Sequence, residues 1–69
     1  MKLSARNILK GTVKAVEIGA VNSEVTVEIA PGIEITSIIT KTSCENLGLE
    51  IGKEVYAVIK ASNVMIGSE

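Results

Sequence analysis

The chain has 69 residues, 46% of them hydrophobic, and 7 Lys+Arg against 8 Glu give a formal net charge of −1. That length allows a single domain, and the charge excludes a strongly basic protein that coats nucleic acid through charge alone. One cysteine and no histidine or aspartate exclude a disulfide framework, a Cys/His zinc site, a Ser-His-Asp triad, an HExxH site and an EF-hand loop.

Ile and Val account for 18 of the 69 residues, a composition that favours strands. Asn7 to Ile18 reads as a first strand, with Leu9, Gly11 and Val13 on one face. The apolar row then changes parity at Val16 and Ile18, and a β-bulge near Lys14-Ala15 accounts for the slip. Gly19-Ala20-Val21-Asn22-Ser23 is a turn, with Gly19 free to take a positive φ. A clean alternation follows, with Val25, Val27 and Ile29 facing inward and Glu24, Thr26 and Glu28 facing water. Ala30-Pro31-Gly32 is a turn signal. It joins this second strand to a third, Ile33 to Thr40, as a hairpin whose end at Ile38-Ile39 is covered on both faces.

The period then changes. Thr42-Ser43-Cys44-Glu45 fits a capping box, Leu47 and Leu49 supply apolar contacts, and Gly48 closes a helix of one or two turns. Ile51-Gly52-Lys53 turns into a fourth strand, Glu54 to Ala61, and Asn63-Val64-Met65-Ile66 forms a fifth. Three strands, a short helix and two strands, in one domain over residues 1–69, match the all-β, five-stranded OB barrel with its helix between strands three and four. The alternative is an SH3-like or other small barrel, which usually lacks a capped helix at that point.

A chain this short buries only about 60% of its extended surface. Neither disulfides nor a structural metal site are available to it, and its mean hydropathy is +0.40. The expectation is an obligate oligomer that hides part of its Ile/Val surface between subunits. Cys44 reads as a small core residue. Met1-Lys2-Leu3-Ser4 leads into no long apolar segment, and no run approaches the roughly 18 residues of a membrane span. The expected setting is cytoplasmic, with no membrane partner.

OB barrels most often bind oligonucleotides on aromatic platforms in a positive groove. Here Tyr56 is the one aromatic, and the lysines at 2, 10, 14, 41, 53 and 60 are interleaved with glutamates. Stacking is worth about 1–3 kcal/mol per base, so nucleic acid is not the expected partner. A nucleic-acid-binding or protein-interaction module stands as the alternative function. No general acid–base pair has a recognisable spacing, so no enzyme is expected.

Two polar clusters depart from this pattern. Ser4-Ala5-Arg6-Asn7 precedes the first strand and holds the only arginine, and Lys60-Ala61-Ser62-Asn63 lies at the junction of the last two strands. Each combines a cation, a hydroxyl and small side chains, a donor-rich set suited to an oxyanion that can only accept hydrogen bonds. Arg6 offers a planar fork and Lys60 a point charge. Ser-x-Arg and Lys-Ala-Ser are also ordinary at solvated strand ends, so spacing alone leaves both readings open. Two chain ends of one subunit do not surround a ligand, whereas a site shared between subunits does.

Ser4-Ala5-Arg6-Asn7, Ile39-Thr40 before the helix, Leu49-x-x-Gly52-Lys53-x-Val55 and Lys60-Ala61-Ser62 resemble the molbindins across essentially the whole chain. These are single Mop-domain proteins. The resemblance implies an OB-type barrel assembled as a homohexamer, a trimer of dimers. It would bind molybdate or tungstate at subunit interfaces, for storage and homeostasis of the oxyanion. By position it implies a site of Ser4, Arg6, Thr40, Lys60, Ala61 and Ser62, some from a neighbouring chain. A second site on a three-fold axis would use Gly19, Ala20, Val21 and Asn22. Donors would surround the intact tetrahedral oxyanion without bonding to its metal, and no organic cofactor is implied.

Overall fold

The β-branched runs form strands because branched side chains pack well on a pleated, half-buried surface. The computed structural model describes residues 1–69. Its elements are β1 (Asn7–Ile18), β2 (Asn22–Ala30), β3 (Ile33–Thr40), helix α1 (Lys41–Leu47) and β4 (Glu54–Ile59), followed by one 3-10 turn at Ala61–Asn63. The four strands make one sheet in the order β3-β2-β1-β4, and all neighbours are antiparallel.

β1 serves two partners in turn. Its first half pairs with β4, from Asn7 opposite Ile59 to Thr12 opposite Glu54. Its second half pairs with β2, from Thr12 opposite Glu28 to Ile18 opposite Ser23. The change of register falls between Val13 and Ala15, where the parity slip in the sequence places a bulge. A bulge raises the local twist and bends the strand, so the sheet curls around a small core. Val13, Val25 and Val27 are its buried centre. Val16, Ile29, Ile39, Leu49 and Val55 pack around them, half-buried. Gly11 lies where a Cβ would come within 2.6 Å of both the Glu28 carbonyl oxygen and Val27 Cγ1, so close approach of β1 to β2 requires glycine there. Gly32 (φ 76°) and Gly48 (φ 60°) take left-handed conformations at the hairpin turn and the helix C-cap, as their places in the sequence suggest.

Several expectations are corrected. The helix starts two residues early. Thr40 is its N-cap, in extended geometry (φ −68°, ψ 152°), with its hydroxyl accepting from the Ser43 amide at 3.0 Å. The last residue of β3 already has the backbone conformation a cap needs, so Thr42 falls inside the helix. Gly19 takes no positive φ; a Cβ there would meet the Asn22 carbonyl oxygen at 2.6 Å, so its small size is what the turn uses. Ile38 is 68% exposed and is not covered on the outer face. β4 ends at Ile59 rather than Ala61, and Asn63–Ile66 forms no strand. The 3-10 turn redirects the chain before it can pair, and Met65 and Ile66 are 92% and 90% exposed. The sheet therefore stays four-stranded and does not close into a five-stranded barrel. No helix is long and apolar enough to cross a membrane.

Candidate functional site

Pairing of β1 with β4 brings the two polar clusters to one place. Asn7 opposes Ile59 at the end of the ladder. Arg6 and Lys60 are the residues that flank this last pair on its outer side. Asn7 ties this end together, its Nδ2 donating to the Ile59 carbonyl oxygen at 3.2 Å. Asn7 is thus a positioning residue between the two donor segments. The sequence marked it only as a member of the first cluster.

The donors here are unspent. The chain has two ion pairs, Lys10–Glu54 at 3.3 Å and Lys14–Glu28 at 3.8 Å, and neither uses Arg6 or Lys60. The side chains of Ser4, Arg6, Lys60 and Ser62 make no hydrogen bond within the chain. The 3-10 turn adds two more donors. Its first internal bonds run from the Asn63 amide to Lys60 O (2.8 Å) and from the Val64 amide to Ala61 O (3.3 Å). The Ala61 and Ser62 amides precede them, and Lys60 supplies no side-chain cap. Free amides at the start of a helical turn are ready hydrogen-bond donors to an anion. A strand continuing to Ala61 hides these donors from sequence reasoning; the turn exposes them.

The structure does not bring all the expected residues together. Thr40 pairs with Asn22 at the far end of the β2–β3 ladder, beside the turn that follows β1 rather than the end that carries Arg6. Its hydroxyl is occupied by the cap and by a 2.8 Å bond to Ser43 Oγ. Ser4, Arg6, Lys60, Ala61 and Ser62 are all exposed in the single chain. A dianion is costly to bury unless its oxygens are paired, and these donors cover it from one side.

The second set is arranged differently. A hollow of about 470 Å³ is lined by Gly19 and Asn22 together with Glu17, Ser23, Glu24 and Ile38, so two carboxylates share its wall. The Gly19 amide is committed to Asn22 O at 2.9 Å, while those of Ala20 and Val21 bond to nothing in the chain. Ser23 is buried with its Oγ unpartnered. No cluster of three His, Cys, Asp or Glu side chains occurs that would hold a metal ion directly.

The TOBE domain model matches residues 3–66. The chain is 54% identical to molybdenum-pterin-binding protein 3 of Clostridium pasteurianum, over 96% of this chain and 97% of that one. Among solved structures, it superposes with a TM-score of 0.92 on a molybdate-binding protein from Sporomusa ovata, at 34% identity, over 99% of this chain and 100% of the other. It superposes with a TM-score of 0.89 on the cytoplasmic molybdate-binding protein ModG in a form with molybdate bound. That match has 58% identity and covers 94% of this chain and 46% of ModG.

Proposed function

The chain belongs to the TOBE domain family, and from that premise we propose that it binds molybdate, with tungstate as its close analogue, and stores or buffers the oxyanion in the cytoplasm. The observation that carries this reading is the group of unspent donors at one end of the β1–β4 ladder: the Ser4 and Ser62 hydroxyls, the Arg6 and Lys60 cations, and the Ala61 and Ser62 amides. A tetrahedral dianion accepts from all of them, and charge-assisted bonds are about twice as strong as neutral ones. Chemistry at the oxyanion is not required, and no general base is placed among these residues. The protein acts as a binder, and the bare oxyanion is its ligand rather than a pterin complex.

Only 6 of 69 residues are buried, and every one of these donors is exposed. We place the complete site between copies of the chain, in a homo-oligomer that is hexameric, a trimer of dimers. Thr40 of a neighbouring copy then faces the Arg6–Lys60 end. It contributes through the capped helix start, because its hydroxyl is already engaged. The Gly19–Asn22 turn becomes a second site only where several copies pool the free Ala20 and Val21 amides against the repulsion of Glu17 and Glu24. Discrimination against sulfate follows from size: molybdate is larger, and a rigid donor shell fits one radius best.

Titration calorimetry with molybdate, tungstate and sulfate tests this. Molybdate and tungstate should release heat at concentrations where sulfate does not; equal responses to all three would end the proposal.

A further inference from the structure

The two donor sets differ in what surrounds them. Residues 1–16 and 55–68, which supply the Arg6–Lys60 end, contain no carboxylate. That end offers donors and positive charge to an oxyanion, and no carboxylate to accept from a hydroxyl on it. At the Gly19–Asn22 turn the balance is different. Glu17 on β1 lies directly opposite Glu24 on β2. Both line the hollow of about 470 Å³ beside the turn, and no Lys or Arg lines it with them. Neither carboxylate is in an ion pair. Like charges directly opposite on a sheet are destabilising, so the single chain gains nothing from this pair.

The neighbouring groups leave the charge uncompensated. On β1, Lys14 is the nearest cation in sequence, and it pairs with Glu28 at 3.8 Å. β3 presents Ile38 opposite Glu24. Helix α1 brings Lys41, whose amide donates to the Val21 carbonyl oxygen at 2.7 Å. Its ammonium is in no ion pair, and it does not line the hollow. The Ala20 and Val21 amides bond to nothing in the chain. Donors for an anion and carboxylates that repel it therefore stand at the same turn. A proton between anion and carboxylate reconciles them. It converts two repelling acceptors into a donor–acceptor pair, and hydrogen bonds of that charge-assisted kind are the strong ones.

We propose that the turn site takes its oxyanion together with one proton, held between an anion oxygen and Glu17 or Glu24. It serves as an acid-dependent reserve beside a first site that takes the bare dianion. The proton comes from solvent, no metal–oxygen bond forms or breaks, and the bound unit carries one negative charge fewer. This rests on the second-site reading above and names what regulates that site. Pooling copies at the turn sharpens the effect, because each adds two carboxylates along with two free amides.

Titration calorimetry with micromolar molybdate tests this at about pH 8 and about pH 6, a window in which histidine is the side chain that ordinarily titrates. The chain has no histidine. The first stage of binding should change little between the two. The second stage should be at least about tenfold tighter at the lower pH, with a heat that varies with the ionisation enthalpy of the buffer, the mark of proton uptake. An E17Q/E24Q variant, its sheet confirmed by circular dichroism, should show the second stage at the higher pH and lose the pH dependence, because a glutamine amide donates where a carboxylate repels. A second stage equal at both pH values, one without proton uptake, or a pH dependence that survives in the variant overturns the proposal and leaves the second site standing. A single stage under every condition removes the second site and the proposal with it. No stage at all removes molybdate binding itself.

Discussion

At the residue scale, two side chains decide most. Arg6 is a guanidinium fork with no ion pair, whereas Lys14 is cross-strand from Glu28 at 3.8 Å, an exposed pair of the kind worth little to stability. Arg6→Ala should therefore weaken molybdate binding at least tenfold in calorimetry, which is about 1.4 kcal/mol, while Lys14→Ala leaves the affinity within about twofold. Equal losses would make Arg6 an ordinary surface charge. Gly11 carries a different constraint. A methyl group there meets the backbone oxygen of Glu28 at 2.6 Å, and a strand backbone gives way less than a side chain does. Gly11→Ala should cost about 1–3 kcal/mol, as overpacking does, visible as a lower urea midpoint at fixed protein concentration. Both residues could be singled out in the sequence, Arg6 as the only arginine and Gly11 by its place in an inward-facing row. The contact that makes Gly11 necessary comes from β2, some 17 positions away in sequence.

At the element scale, the junction between β3 and α1 shows how local signals compete. Thr40 and Thr42 both precede polar residues suited to a first helical turn, and the capping-box pattern pointed to Thr42. Thr40 takes the role because strand pairing with Asn22 already holds it in the extended conformation of an N-cap. Thr40→Ala should destabilise the fold by about 1 kcal/mol, whereas Thr40→Ser keeps the capping hydroxyl and should retain most of the stability; urea unfolding of the two variants checks this. At the other end of the helix, Gly48 in the left-handed conformation closes it. Lys53 Nζ donates to the Leu47 and Gly48 carbonyl oxygens there, a cation satisfying the acceptors that a helix end leaves open. The β2–β3 hairpin and the bulge in β1 were legible because a period of two, and its interruption, are written directly in the sequence. The end of β4 was not. Lys60-Ala61-Ser62-Asn63 has no periodicity that distinguishes a strand from a 3-10 turn.

At the scale of the whole molecule, the contrast is between a small core and a large apolar surface. Val13, Val25 and Val27 are the buried aliphatic centre, yet Ile18, Val21, Ile38, Ile51, Met65 and Ile66 are each more than half exposed. If copies cover this surface and share the oxyanion, folding, assembly and binding are linked by mass action. The melting temperature should then rise with protein concentration. Molybdate at about 100 times its dissociation constant should add roughly 2.7 kcal/mol per independent site, while sulfate at the same concentration adds little. A melting temperature indifferent to both would separate stability from assembly and from ligand.

The existence of the first four strands, the bulge, the hairpin and the donor-rich character of the two polar clusters were determined by the sequence alone, because each depends on neighbours within a few positions. The meeting of Arg6 with the Lys60 turn, the separation of Thr40 from both and the open edges of β3 and β4 were decided only by the tertiary structure. Those outcomes depend on which strand each half of β1 chooses, and that choice is made by packing between residues as far apart as Asn7 and Ile59. No local pattern encodes it.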